Sequence, residues 1–236
     1  MSTALPPVCI LAGGLGTRLG DRVREVPKPL LEVAGEPFLV HQLRLLSEHG
    51  ASQVVLCVGY LGEQVERAIG NERFGIGIGY SYDGPEPLGT LGAIRRAAPL
   101  LGERFLVLYG DTYLRIDYRA ATGAWEHSGL PAMMTVLRNE GRWDTSNVEF
   151  DGQLVTAYDK RTPGPGMHWI DYGLGGLTAH GLGLAGADVA ELAQLQHQLA
   201  AARQLFGYAA TERFYEIGTP AALAETSAFL TGLRTG

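Results

Sequence analysis

The sequence predicts an α/β fold: a doubly wound, mostly parallel sheet carrying a small antiparallel insertion. Three observations predict it. First, through residue 110, apolar runs of strand length alternate with segments of helical period, in the order β-α-β-α-β-α-β. Second, a glycine-rich loop follows the first apolar run, and Gly110-Asp111 follows the fourth. In doubly wound sheets ligands sit beyond the carboxyl ends of the strands, so these two turns would border one crevice. Third, from 147 to 177 the pattern gives way to short β-like pieces broken by turns, including Thr162-Pro163-Gly164-Pro165-Gly166.

The elements follow in order. Val8-Cys9-Ile10-Leu11 reads as a buried strand. Apolar residues at 38, 39, 40, 43, 45 and 46 give a helical face over 38–49, ended by Gly50. A Val-rich strand over 53–58 leads to a helix over 61–69 stopped by Gly70, and then to an alternating strand over 76–82. The next helix runs over 90–101 with Thr90 near its N-cap, followed by an apolar strand over 105–109. A helix over 119–128 and a strand over 131–137 come next. The insertion holds β-like pieces at 147–150, 153–158, 168–171 and 174–179. Residues 187–203 form one or two helices, and 206–209 a strand. The last helix covers 220–233 with Pro220 in its first turn. Without repeats or a break in composition, 1–236 reads as a single domain with an inserted lobe.

Composition narrows the function. Hydrophobic residues at 46% and charged residues at 19% describe an ordinary globular chain. A net charge of −6 argues against general nucleic-acid binding. The first 30 residues run the other way: Arg18, Arg22, Arg24 and Lys28 against Asp21 and Glu25 leave +2, which suits a small anionic substrate. Cys9 and Cys57 lie in apolar runs and read as buried, reduced thiols. No secretory leader and no run near the ~20 residues of a membrane helix is present, so a cytoplasmic protein is expected. The six histidines show no metal-ligand spacing and are assigned to surfaces or caps.

The chemistry begins in the loop Leu11-Ala12-Gly13-Gly14-Leu15-Gly16-Thr17-Arg18-Leu19 and continues in Val26-Pro27-Lys28-Pro29-Leu30. It is neither a P-loop nor the G-x-G-x-x-G fingerprint, since position 19 is Leu. Backbone N–H groups of such a turn form an anion-binding concavity, and Arg18 and Lys28 bring full charge to a polyphosphate. Asp111, at a strand end facing that loop, suits a Mg²⁺ shared with substrate phosphates; the plainer reading is an aspartate that opens a turn.

Together, Leu-Ala-Gly-Gly-Leu-Gly-Thr-Arg-Leu and Val-Pro-Lys-Pro-Leu-Leu-Glu-Val-Ala-Gly-Glu-Pro-Phe resemble the signature of the sugar-1-phosphate nucleotidylyltransferases. The similarity runs from residue 8 to about 222. It is most like the short members, among them the D-glycero-D-manno-heptose 1-phosphate guanylyltransferases, with the N-acetylmuramate 1-phosphate uridylyltransferases close behind. The resemblance implies a Rossmann-like nucleotidyltransferase fold. It also implies Mg²⁺-dependent transfer of a nucleoside monophosphate from an NTP to a sugar 1-phosphate, heptose or hexose, with release of pyrophosphate.

Carried over residue by residue, the resemblance puts Leu11, Ala12, Gly13, Gly14, Gly16, Thr17 and Gly89 on the nucleotide. It puts Arg18, Lys28 and Asp111 on the reacting phosphates and metal. Glu216 stands where relatives have Asp before Ile-Gly-Thr-Pro, and is either the second Mg²⁺ ligand or a shaper of the pocket and following helix. Lys160, in Tyr158-Asp159-Lys160-Arg161, matches the lysine that contacts the sugar phosphate, the alternative being a surface charge cluster. Asp159, Asp171 and Asn147 are the candidates for sugar hydroxyls, with Asp171 equally a turn residue. Glu86, in the loop where relatives seat the base, would accept from N1–H and the N2 amine of guanine, which favours GTP; otherwise it is a solvated loop carboxylate. The sugar lobe falls within about 140–180. Two other classes stay open. A phosphocholine cytidylyltransferase would use Trp169, Tyr172 and Asp171 as an aromatic, acidic pocket, and a regulatory relative would bind nucleotide sugars without turnover.

Overall fold

A computed structural model describes residues 5–14, 16, 19–20 and 25–235. The chain opens with β1 (Val8–Leu11), a 3₁₀ turn at Lys28–Leu30, a small hairpin of β2 (Glu32–Val33) and β3 (Glu36–Pro37), and α1 (Phe38–Glu48). It continues through β4 (Gln53–Val58), α2 (Gly62–Ile69), β5 (Glu72–Arg73), β6 (Ile76–Tyr82), α3 (Gly89–Leu101) and β7 (Arg104–Tyr109). Next come β8 (Thr112–Leu114), α4 (Tyr118–Ser128), β9 (Ala132–Arg138), β10 (Val148–Phe150), β11 (Val155–Tyr158) and β12 (Trp169–Thr178). The chain closes with α5 (Ala179–Gly183), α6 (Leu192–Ala201), β13 (Leu205–Ala210), β14 (Phe214–Glu216) and α7 (Pro220–Thr235).

Among the described residues ten strands make one sheet, whose main path runs β11-β10-β12-β7-β1-β4-β6-β5, with β9 on β12 and β13 on β9. The pairs β7-β1, β1-β4 and β4-β6 are parallel, as the alternating pattern predicts. Strands β10, β11 and β12 pair antiparallel, as expected for the insertion. The central strands read as unbroken apolar runs because helices cover both faces. Val8, Ile10, Val54, Leu56 and Leu106 pack toward α1, α2 and α4, where Leu43, Val65 and Trp125 meet them. Cys9, Val55, Cys57 and Val107 face α3 and α6, through Ile94, Leu195 and Leu199. The strands thus split two cores between alternate residues.

Four local expectations are revised. The pieces at 168–171 and 174–179 are one strand, Trp169–Thr178, with a register shift between Asp171 and Gly175. Gly173 sits there at φ 109°, a conformation that glycine reaches without a Cβ clash, so the strand bulges and continues. Helix α6 starts at Leu192 rather than 187, because the Ala190 carbonyl is used to receive the amides of Leu91 and Gly92 at the start of α3. Thr90 is not an N-cap; its hydroxyl donates to Glu191 (2.8 Å) and accepts from the Leu192 amide (2.7 Å), tying α3 to α6. His41 lies neither on the surface nor at a cap: it is buried in α1 with Nε2 2.7 Å from the Val33 carbonyl oxygen. Cys9 and Cys57 are buried free thiols, 3.4 Å apart. Among the described residues no helix is long and apolar enough to cross a membrane.

Candidate functional site

The carboxyl ends of β1, β4, β6 and β7 open on a cleft of about 300 Å³. The end of β1 supplies Leu11, and the loop after it Ala12, Gly13, Gly14 and Gly16. The 3₁₀ turn supplies Lys28, the end of β6 Asp83, the start of α3 Gly89 and Thr90, and the end of β7 Tyr109, Gly110 and Asp111. Thr17 and Arg18 lie outside the described residues. The loop is held close to the sheet: Ala12 donates to the Cys57 carbonyl (2.8 Å), and Gly110 donates to the Leu11 carbonyl (2.9 Å). A Cβ on Gly110 would lie 2.9 Å from the Leu11 oxygen, so only glycine lets the two loops touch.

Lys28 reaches across this contact. Its ammonium donates to Asp111 Oδ2 at 2.5 Å. The lysine side chain is 9% exposed and the aspartate 31%. Pro27 and Pro29 are buried on either side of it, which fixes the backbone that aims the long side chain. An ammonium so enclosed has to be matched by a carboxylate, and here the match is 83 residues away in sequence.

A second cleft, of about 230 Å³, shares Tyr109 and Asp111 with the first. It is also lined by Thr112, Asp144, Asn147, Lys160, Ile170, Asp171, Tyr172, Gly173, Phe214 and Glu216. Glu216 reaches it because β14 pairs with β8, opposing Glu216 to Thr112, and the Ile217 amide donates to the Asp111 carbonyl (3.0 Å). Two strand ends thus bring two carboxylates into one cleft. Oxygen donors in that number, beside room for phosphate oxygens, fit a hard cation such as Mg²⁺. The β8-β14 ladder thus sets the Glu216 backbone next to that of Asp111.

The far wall is a polar cluster. Lys160 lies 3.2 Å from Asp171 Oδ2, which also accepts from the Tyr158 hydroxyl (3.2 Å), while Asp171 Oδ1 accepts from the Gly173 amide (3.1 Å). The Asp171 side chain is 5% exposed. Its carboxylate holds the Lys160 pKa well above the ordinary lysine value, against burial, which lowers it. Burial pushes Tyr109 up to about 12, with the Asp171 charge adding to it, so its hydroxyl stays protonated. Asn147 is buried, and its Oδ1 accepts the Asp171 amide (3.1 Å).

The structure therefore gathers Lys28, Asp111, Glu216, Lys160, Asp171 and Asn147 around two adjoining clefts. It leaves two predicted residues outside them. Asp159 faces a neighbouring cavity, where its oxygens accept from Arg161, Thr162 and the Thr162 hydroxyl; these bonds hold its pKa near 2. Glu86 is exposed and lines neither cleft. In the same loop it is Asp83 that lines the first cleft, alongside Asp111 and Glu191, and burial raises its pKa despite the Leu88 amide and Arg96. Nothing in the local sequence distinguishes Asp83 from Glu86: it stands directly after the strand, ahead of Gly84-Pro85, and only the fold turns it inward. Trp169 packs against Phe150 (5.2 Å) and under Arg138, so it forms no aromatic box with Tyr172.

Comparison with known proteins gives the family. The family model described as the MobA-like NTP transferase domain matches residues 8–214. A D-glycero-alpha-D-manno-heptose 1-phosphate guanylyltransferase of Aneurinibacillus thermoaerophilus is 42% identical over 111 residues, 47% of this chain and 48% of the relative. One from Campylobacter jejuni is 33% identical over 152 residues, 64% and 67% of the two chains. An N-acetylmuramate alpha-1-phosphate uridylyltransferase of Neisseria meningitidis is 43% identical over 117 residues, 48% and 49%. The match thus spans about half the length of the first and third of these relatives. In structure, HddC from Yersinia pseudotuberculosis complexed with GMP-PN superposes with a TM-score of 0.76 at 22% identity, covering 96% of this chain and 100% of that one. At that identity the likeness is one of fold.

Proposed function

Because the chain belongs to the MobA-like NTP transferase domain family, we propose that it transfers a nucleoside monophosphate from an NTP, GTP favoured, to a sugar 1-phosphate, with heptose or hexose as the sugar. The observation that carries this reading is the meeting of the two clefts at Tyr109 and Asp111, with Lys28 on one side and Lys160 on the other. A nucleotide in the first cleft would present its α-phosphate to the second, where a sugar phosphate would lie. Guanylyltransferase relatives support GTP as donor. Asp83, rather than Glu86, is the carboxylate suited to accept from guanine N1–H and its amine.

The attacking group is a phosphate oxygen, whose second pKa is about 6, so it is already ionised at neutral pH and needs no general base. A new bond forms from that oxygen to Pα, and the bond from Pα to the bridging oxygen of pyrophosphate breaks. Catalysis then rests on alignment and on charge placed where it develops. Lys28 neutralises the α-phosphate, Arg18 the β- and γ-phosphates, and Lys160 orients the sugar phosphate. Asn147 and Asp171 border the sugar. Asp111 and Glu216 would hold Mg²⁺, which supplies charge neutralisation on the phosphates. In this reading 1–236 is one cytoplasmic nucleotidyltransferase unit, and 140–180 is its sugar-binding lobe.

The test is pyrophosphate release with each NTP against a panel of sugar 1-phosphates and phosphocholine. Turnover with GTP and a heptose or hexose 1-phosphate is expected. Turnover confined to UTP would move the donor to that of the Neisseria relative. Nucleotide binding without turnover on any acceptor would overturn the enzymatic reading in favour of a regulatory one.

A further inference from the structure

Helix α1 faces the core with Leu39, Leu43 and Leu46, yet one of its inward residues is an amide. Gln42 is 3% exposed. Both N–H groups of its side chain are used: Nε2 donates to the Tyr109 carbonyl at 2.9 Å and to the Thr112 carbonyl at 2.8 Å. Those carbonyls bracket Gly110-Asp111. The other end of the amide, Oε1, is buried without a partner among the described residues. Burying an unmatched acceptor is unfavourable, and a leucine or methionine would have avoided it. The position thus keeps a destabilising polar group whose two hydrogen bonds both go to one turn.

We propose that Gln42 is a positioning residue that sets the Tyr109–Thr112 turn, and through it the aim of the Asp111 carboxylate. The rest of the geometry agrees. Lys28, on the 3₁₀ turn ahead of α1, grips the Asp111 carboxylate itself. Gly110 is tied to Leu11, and the Asp111 carbonyl to Ile217. Two of these ties, from Leu11 and Ile217, come from elements that also border the clefts. The Gln42 tie comes from the buried face of a helix and is independent of any ligand. It gives the turn a fixed reference in the core.

The experiment uses Gln42→Met, which keeps length and loses both donors, and Gln42→Asn, one methylene too short to reach both carbonyls. Hydrogen exchange is first measured without ligand. Peptides covering 109–114 should exchange about tenfold faster in both variants, with those covering β1 and β4 unchanged. Unchanged exchange at 109–114, or a uniform rise across the chain, would overturn the proposal. So would failure of both variants to fold, since a clamp on one turn does not carry the fold. A second arm rests on the proposed function. GTP affinity without divalent metal should stay within about twofold of the parent, while the gain in affinity on adding Mg²⁺ should fall about tenfold. A parent that binds no GTP would refute the reading of the cleft and leave the exchange result to decide on Gln42.

Discussion

Replacing Asp171 by asparagine isolates one charge in the wall of the second cleft. The ion pair to Lys160 spans 3.2 Å, with the carboxylate 5% and the lysine side chain 44% exposed. At an effective dielectric of 20 the attraction at that distance is about 5 kcal/mol. Exposure of the lysine and the desolvation of the carboxylate offset much of it, which leaves a net contribution of about 2 kcal/mol. For a chain of this size that corresponds to a fall in melting temperature of about 4–8 °C. The pH dependence has a definite sign. The folded-state pKa of Lys160 is raised, chiefly by Asp171, so the stabilisation is full below the unfolded lysine value of about 10.4 and is lost only as pH rises through the higher folded value. In Asp171→Asn the main raising influence is gone and burial remains, so Lys160 deprotonates at lower pH. The KM for sugar 1-phosphate should rise about tenfold at pH 7.5, with the KM for GTP unchanged, and an alkaline limb that the parent lacks should appear at the upper end of the range, about pH 8–10. Steady-state kinetics from pH 6 to 10, run beside thermal melts, measure all three. A variant with a parental alkaline profile and an unchanged KM would refute the coupling. If activity falls in the variant and one deoxy sugar phosphate loses equally in the parent, Asp171 reads a sugar hydroxyl instead.

Three further outcomes are expected. Asp111→Asn should lower Mg²⁺-dependent turnover by about 10²-fold or more, and near-normal rates would refute its assignment. Asp83→Asn should reduce kcat/KM for GTP by about 10- to 100-fold, as loss of a charged hydrogen-bond acceptor predicts, whereas Glu86→Gln should stay within about twofold; the reverse order would restore Glu86 as the base contact. Gly110→Ala places a Cβ 2.9 Å from the Leu11 oxygen and 3.1 Å from the Ala12 Cα. It should destabilise the protein by about 1–3 kcal/mol in a denaturant titration, and a neutral result would mean that the two loops separate at little cost.

The parallel half of the fold was legible because burial on both faces writes strands as plain apolar runs, as at 53–58 and 105–109. Lys28 and Asp111 were legible too, since Pro-Lys-Pro and Gly-Asp are local patterns, although nothing local says that the two side chains touch. What escaped depends on distant partners. Asp83 and Glu86 sit three residues apart in one loop, and only the path of the chain after β6 decides which carboxylate turns inward. Gln42 looks like any polar residue of an amphipathic helix until the Tyr109 and Thr112 carbonyls are beside it. His41 was misassigned for the same reason, its partner being a carbonyl of the preceding hairpin. The break assumed inside β12 came from reading Tyr172-Gly173 as a turn, when a bulge accommodates the glycine within the strand.

That bulge divides β12 into two working lengths. Before it, Trp169 to Asp171 pair with β9, and Trp169 also opposes β10; after it, Gly175 to Leu177 pair with β9 again while Leu174 to Thr178 lie antiparallel against β7. β9 pairs with both lengths, and the bulge at Gly173 takes up the change of register between Asp171 opposite Val136 and Gly175 opposite Met134. For protein engineering this marks a natural seam. Exchanging 139–171 for the matching stretch of a relative with another acceptor should retune the acceptor while the donor half keeps its geometry, whereas a junction placed at 174–178 would shift the strand that carries the shared wall of both clefts.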